Sequence, residues 1–248
     1  MKENFPKIIH QCFGFWDINI PSDIQKRIDT WKILHPNYTY ILWNKKNSRD
    51  LIKNHFDWFL TIYDNYEYPI QKADAIRYFI LYKYGGIYCD IDLEPFKKIT
   101  HLLNKYKNKK CILYRSPNSD MITNDFMISI PKNPFWKKVW HQLILNCNFT
   151  SMSKHLTIMN STGPLLLDFA YENYSLKKKY IYIINAKYIN NCDISIPKPA
   201  RNTQAYLIRY DGNSWHGIDS TIINFFYKNY IVFIVLFFIL ILIKIFIF

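Results

Sequence analysis

The chain is short of acidic residues, of paired cysteines and of an apolar leader at its beginning, and each shortage excludes something. Its five cysteines (Cys12, Cys89, Cys111, Cys147, Cys192) are odd in number and widely spaced, with no C-x-x-C pair. That pattern excludes a zinc site or a disulfide framework and suits free thiols in a reducing compartment. Nineteen Asp and Glu stand against 32 Lys and Arg, a formal charge of +13. Such an excess favours acidic partners: nucleotide diphosphates, anionic headgroups or nucleic acid. The lysines are scattered, apart from runs such as Lys177-Lys178-Lys179. No basic helix carries base-reading residues, so nucleic acid is set aside. Residues 1–16 lack the apolar core of a signal peptide, and no N-terminal targeting is expected.

What is present suits one α/β domain. Half of the 248 residues are apolar, enough for a single sizeable core. Lys7 to Phe13 reads as a buried strand. Ser22-x-x-Gln25 predicts a capping box for a helix carrying Ile24, Ile28, Trp31 and Leu34, ended by Pro36. Tyr38 to Trp43 alternates as a strand does, and Ser48 is expected to cap a helix with Leu51, Ile52, His55, Phe56 and Phe59. Further strands are predicted at Cys111–Arg115, Asn124–Ile130, Tyr180–Ile184 and Ala205–Tyr210. Helices are predicted to start at Asn133-Pro134 and Thr162-Gly163-Pro164. The stripe Phe135, Val139, Trp140, Leu143 reads as packing rather than a sugar platform. Alternating strands and helices predict a largely parallel sheet, with ligands at the carboxyl ends of its strands.

The chemistry concentrates between Pro69 and Pro95. Ala73, Ile76, Ile80 and Tyr84 recur at helical steps, and Gly85-Gly86 ends the run. The period then falls to two. Ile87, Cys89 and Ile91 point one way, and Tyr88, Asp90 and Asp92 the other, which places two carboxylates on one face near the strand's end. Like charges so close need a cation or a proton between them. Hard divalent cations, Mn²⁺ or Mg²⁺, take such oxygen ligands together with substrate phosphates. Asp74 and Arg77, three apart, share a helix face that leads into this strand; an ordinary surface ion pair is the plainer reading.

The composite Ala73-Asp74-x-x-Arg77-Tyr78 … Leu81-Tyr82-x-Tyr84-Gly85-Gly86-Ile87-Tyr88-x-Asp90-x-Asp92 resembles the sugar-nucleotide-binding region of the DXD-containing glycosyltransferases of family 32. That family includes yeast-type α-mannosyltransferases and inositol phosphorylceramide mannosyltransferases. Pro6-Lys7-Ile8-Ile9-His10-Gln11 resembles the family's first strand, and Asn124-x-x-Met127-x-Ser129 its segment after the DXD. The resemblance runs from about Phe5 to Trp215. It implies a GT-A-type, Rossmann-like mixed sheet flanked by helices, and a metal-dependent enzyme that retains the anomeric configuration.

It also implies roles. Asp92 is the direct metal ligand, and Asp90 contacts the metal through water or holds the ribose. Asp74, Arg77, Gln11, Tyr88 and Asn124 bind the donor, GDP-mannose first and a UDP-hexose second. His216, after Ser214-Trp215, is the third metal ligand. One departure stands out: the position six before Trp215, a histidine in many relatives, is Arg209.

Residues 230–248 are apolar except for Lys244, nineteen in a row, just enough to cross ~30 Å of hydrocarbon. The expected organisation is a catalytic domain over 1–220, a linker over 221–229 and a single-pass anchor over 230–248, the domain facing the cytosol, with the Golgi or ER side as the alternative, and the acceptor a membrane glycolipid or glycan. Two other readings compete. A haloacid-dehalogenase-type phosphatase also uses D-x-D, but after its first strand and with Thr or Val where Glu94 stands here. A degenerate, membrane-tethered carbohydrate-binding or scaffold protein keeps the motif without catalysis.

Overall fold

The computed structural model describes residues 5–16, 19–116, 120–192, 204–210, 217–223, 225 and 229. In chain order the elements are β1 (Ile8–Cys12), α1 (Ser22–Leu34), β2 (Thr39–Trp43), α2 (Lys45–His55), α3 (Leu60–Asn65), α4 (Pro69–Tyr84), β3 (Gly86–Cys89) and β4 (Leu93–Pro95). There follow α5 (Thr100–Lys105), β5 (Cys111–Arg115), β6 (Ile122–Ser129), α6 (Phe135–Leu145), α7 (Lys154–Ser161), α8 (Pro164–Glu172), α9 (Lys177–Tyr180), β7 (Ile181–Ile184), β8 (Ile189–Cys192) and β9 (Leu207–Tyr210).

Six strands form the main sheet in the order β2-β1-β3-β6-β5-β7, and β4, β9 and β8 form a small second sheet. β1 runs parallel to β2 and β3, and β7 parallel to β5, but β6 is antiparallel to both β3 and β5. The sheet is therefore mixed rather than largely parallel. From β1 the order runs outward to β2 on one side and β3 on the other, a topological switch point whose crevice opens at their carboxyl ends.

The period-two pattern decides which face each residue meets. Tyr88, Met127 and Leu113 face a core built with Phe59, Phe79, Trp136 and Trp140 of the helical layer. Ile87, Cys89, Phe126 and Ile128 face the other way, onto Trp31, Ile99 and Leu102. The aromatic stripe of α6 is packing, as its spacing predicts: Trp140 stacks on Phe79 with ring centres 5.0 Å apart.

α4 is buried on nearly every side, with Ile76, Tyr78, Phe79, Ile80 and Leu81 fully covered. Pro69 opens it and Gly85 closes it. Both glycines are obligatory. Gly85 and Gly86 hold φ of +64° and +91°, and a Cβ would lie 2.7 Å from the Pro131 nitrogen at the first and 2.6 Å from the Ile8 carbonyl at the second.

Two predicted caps are corrected. α1 begins after Pro21 with no side-chain cap bond, so Ser22 is its first residue and the Gln25 side chain bonds Asp29 instead. α2 starts ahead of Ser48, at Lys45, because Asn44 and Asn47 make a reciprocal capping box there; Ser48 is buried inside the helix.

Candidate active site

The two aspartates do not lie on one strand face. β3 ends at Cys89, although the Asp90 N–H still donates to the Asp125 carbonyl at 2.8 Å. The chain then turns, with the Leu93 N–H on the Asp90 carbonyl at 3.1 Å, and leaves the main sheet for the small one. Leu93 is fully buried and pairs with Arg209 of β9. The Tyr210 N–H donates to the Asp92 carbonyl at 3.0 Å, and the Trp31 indole N–H to the Leu93 carbonyl at 2.8 Å. Asp90 and Asp92 are thus presented by a turn pinned from both sheets at the carboxyl end of β3.

Arg77 organises this turn from behind. Its guanidinium meets Asp74 at 2.8 Å and Asp90 at 3.2 Å, and donates to the carbonyls of Asn124 at 2.8 Å and Ala73 at 3.1 Å. The residue is 3% exposed. The plain surface-pair reading of Asp74 and Arg77 is therefore replaced by a buried ion network. The Tyr88 hydroxyl donates to Asp90 Oδ1 at 2.7 Å, and the Arg77 guanidinium lies over the Tyr88 ring, 4.7 Å from its centre.

Burial sets the charges. It pushes the Asp74 carboxyl up to about 7 against the opposing pull of Arg77. Burial pushes Asp92 up to about 7 as well, helped by the neighbouring charges of Asp90 and Asp125 and opposed by Arg209. Asp90 is also raised, desolvation outweighing Arg77. Each carboxylate is costly here without a cation.

The other predicted site residues fall around this turn. Gln11 is fully buried; its amide N–H donates to the Asp90 carbonyl at 3.1 Å, and its oxygen accepts from the Tyr40 hydroxyl at 2.6 Å. Asn124 is buried, its amide on the Tyr78 hydroxyl at 3.3 Å. Thr162, whose Thr162-Gly163-Pro164 run reads as a helix start and also resembles a signature of the family, donates to Asp74 at 3.4 Å. Ser214, Trp215 and His216 lie outside the described residues, as does the apolar run 230–248. Among the described residues no helix is long and apolar enough to cross a membrane.

Asp125 was not singled out by the sequence, and Arg209 was noted only as a departure. Arg209 pairs with Asp125, and the Thr123 hydroxyl donates to the other Asp125 oxygen. The signal available for Asp125 was a lone charge within a strand of otherwise buried residues, Phe126 to Ser129.

The donor set fits a divalent cation. Asp92 Oδ1 is buried with no hydrogen-bond partner among the described residues, an orphaned acceptor of the kind a hard cation satisfies. Among the described residues no three His, Cys, Asp or Glu side chains converge into a metal cage.

Comparison with known proteins agrees with this geometry. Residues 21–110 match the family described as glycosyltransferase sugar-binding region containing DXD motif. The chain is 37% identical over 226 residues to a mannosyl phosphorylinositol ceramide synthase of Saccharomyces cerevisiae, covering 87% of this chain and 54% of that protein. It is 33% identical over 220 residues to inositol phosphoceramide mannosyltransferase 2 of Schizosaccharomyces pombe, covering 88% of this chain and 60% of that one. The chain thus spans little more than half the length of these relatives. Among solved structures, the ligand-free glycosyltransferase domain of the YGT toxin superposes with a TM-score of 0.56 at 9% identity, covering 74% of this chain and 80% of that domain. The fold is the GT-A type.

Proposed function

We infer that this chain, which carries the DXD-containing glycosyltransferase sugar-binding region on a GT-A-type fold, is a glycosyltransferase that moves a hexose, mannose first, from a nucleotide sugar to a membrane glycolipid. One observation carries the reading. A buried arginine holds Asp74 and Asp90 in place while Asp92, at the carboxyl end of β3, keeps a buried carboxylate oxygen that has no hydrogen-bond partner among the described residues.

Cleaving the sugar–phosphate bond leaves negative charge on the nucleoside diphosphate. A divalent ion, Mn²⁺ or Mg²⁺, supplies stabilisation of that charge when bound. The protein's part is positioning. Asp92 would hold the ion directly, and Asp90, fixed by Arg77 and Tyr88, would reach it through water or take the ribose. Asp74 would accept from donor-sugar hydroxyls. Gln11 and Asn124 act on the donor through what they hold: Gln11 fixes the Asp90 backbone, and Asn124 gives its carbonyl to Arg77. His216 would be the third metal ligand. Retention at the anomeric carbon is part of the proposal.

The names of the relatives support a sphingolipid acceptor. The composition of residues 230–248 supports a membrane anchor that would confine enzyme and lipid to one surface and raise their effective concentration. The test is transfer from GDP-mannose and UDP-hexoses to inositol phosphorylceramide in vesicles, with and without Mn²⁺. Removal of residues 228–248 should leave donor hydrolysis nearly unchanged and sharply reduce lipid transfer. Absence of turnover with every donor would favour the non-catalytic carbohydrate-binding reading. Equal lipid transfer by the truncated protein would end the anchor proposal.

A further inference from the structure

The resemblance makes Arg77 a donor-binding residue, and a second arginine stands beside the same turn. The Arg77 fork faces inward and already serves four partners: Asp74, Asp90 and the carbonyls of Ala73 and Asn124. Arg209 is placed differently. It stands on β9 opposite Leu93, one residue past Asp92, on the outer side of the turn, and its side chain is 20% exposed against 4% for Arg77. Its ion pair with Asp125 uses one arm of a fork that carries five N–H donors. Its Cζ lies over the Tyr114 ring, 5.2 Å from the centre, a cation–π contact that uses none of the fork's N–H donors. Asp125 is held in turn by the Thr123 hydroxyl and by its own backbone bond to Asp90, so the strap that aims Arg209 is rigid.

We propose that Arg209 is a binding residue for the diphosphate of the nucleotide donor, a fixed cation across the turn from the buried Arg77 that holds the phosphates even when no divalent ion is bound. The proposal rests on the nucleotide-sugar reading above. It gives this chain's departure from histidine at position 209 a chemical meaning, since a guanidinium cannot ligate a metal but forks onto phosphate oxygens.

β9 does not depend on Arg209 for its place. Its backbone pairs with β4 and β8, and the Tyr210 hydroxyl donates to Glu94 at 2.7 Å. Arg209→Gln is therefore a usable probe, with its unfolding midpoint measured alongside. The experiment is calorimetric titration of the full chain with GDP, UDP and GMP, once in EDTA and once with Mn²⁺. In EDTA, Arg209→Gln should bind the preferred diphosphate about tenfold more weakly than wild type, the loss of one charge-assisted contact, and GMP about equally well. Arg209→Lys should recover part of the loss. Unchanged diphosphate affinity in Arg209→Gln, or equal losses for GDP and GMP, would overturn the assignment and leave Arg209 as a clasp on the turn. If wild type binds neither GDP nor UDP with or without Mn²⁺, the nucleotide-sugar reading falls too.

Discussion

Two arginines flank the Asp90–Asp92 turn, and they hold it in opposite ways. Arg77 comes from α4, the helix that leads into β3 and the turn, and is sealed under it with Asp74 while reaching the half-buried Asp90. Arg209 comes from β9, over a hundred residues later, and closes on Asp125 at the partly exposed side. The inner pair sits in low dielectric, where removing one partner strands the other's charge. The outer pair is partly exposed, so water screens it more than the inner one. One residue type thus builds the scaffold on one side and, as proposed here, meets the phosphates on the other.

The largest effect should separate the two. Arg77→Met strands Asp74 and Asp90 and should cost about 3–5 kcal/mol, a large share of a domain's stability. Arg209→Met should cost about 1 kcal/mol. Denaturant unfolding reads both, and similar losses would erase the distinction between scaffold and ligand.

Asp92→Asn should abolish transfer and Mn²⁺-dependent nucleotide binding while keeping the fold. Because burial raises the Asp92 carboxyl to about 7, above its unfolded value near 4, the folded chain keeps a proton that the unfolded chain has lost. The stability this contributes is present below pH 4 and lost as pH rises to about 7. In EDTA the asparagine variant should therefore be more stable than wild type at pH 8, with the gap closing toward pH 4. Parallel pH profiles would show that Asp92 is not strained in the free protein.

His10 reports on the Arg77 side. Its ring is bonded to the Gly85 carbonyl at 2.9 Å and the Trp43 indole at 3.1 Å, and burial lowers its pKa from 6.5 to about 4. Its contribution is present above pH 6.5 and lost as pH falls through about 4. Wild type should lose stability across that window, and His10→Gln should flatten the profile. An unchanged acid slope in the variant would assign the loss to other groups.

The smallest contrast lies at the helix caps, far from either arginine. Asn44→Ala should cost about 1 kcal/mol by thermal unfolding, since its side chain accepts from two backbone N–H groups. Ser22→Ala should be near neutral, because no cap bond exists there. Equal costs would mean that Ser22 caps α1 in solution.

The sequence by itself determined α4, its start at Pro69 and its stop at Gly85-Gly86, five of the six strands of the main sheet to within two residues at each end (β3, expected to run on through Asp92, stops at Cys89), and the composite around Asp74, Arg77, Asp90 and Asp92. These signals are local: helical spacing, a proline at the first turn, glycines at positive φ, and alternation along a strand. Only the tertiary structure decided that Asp90 and Asp92 occupy a turn, that β6 runs antiparallel, that Arg77 faces inward, and that Asp125 and Arg209 join the site. The reason is that alternation records which side chains are covered, not where a strand loses its partner. β3 stops where β6 ceases to pair with it, and the chain's next partner, β9, lies more than a hundred residues away. A charge whose partner, Asp125, lies 84 residues away leaves no periodic trace, so Arg209 could be seen in the sequence only as a residue out of place.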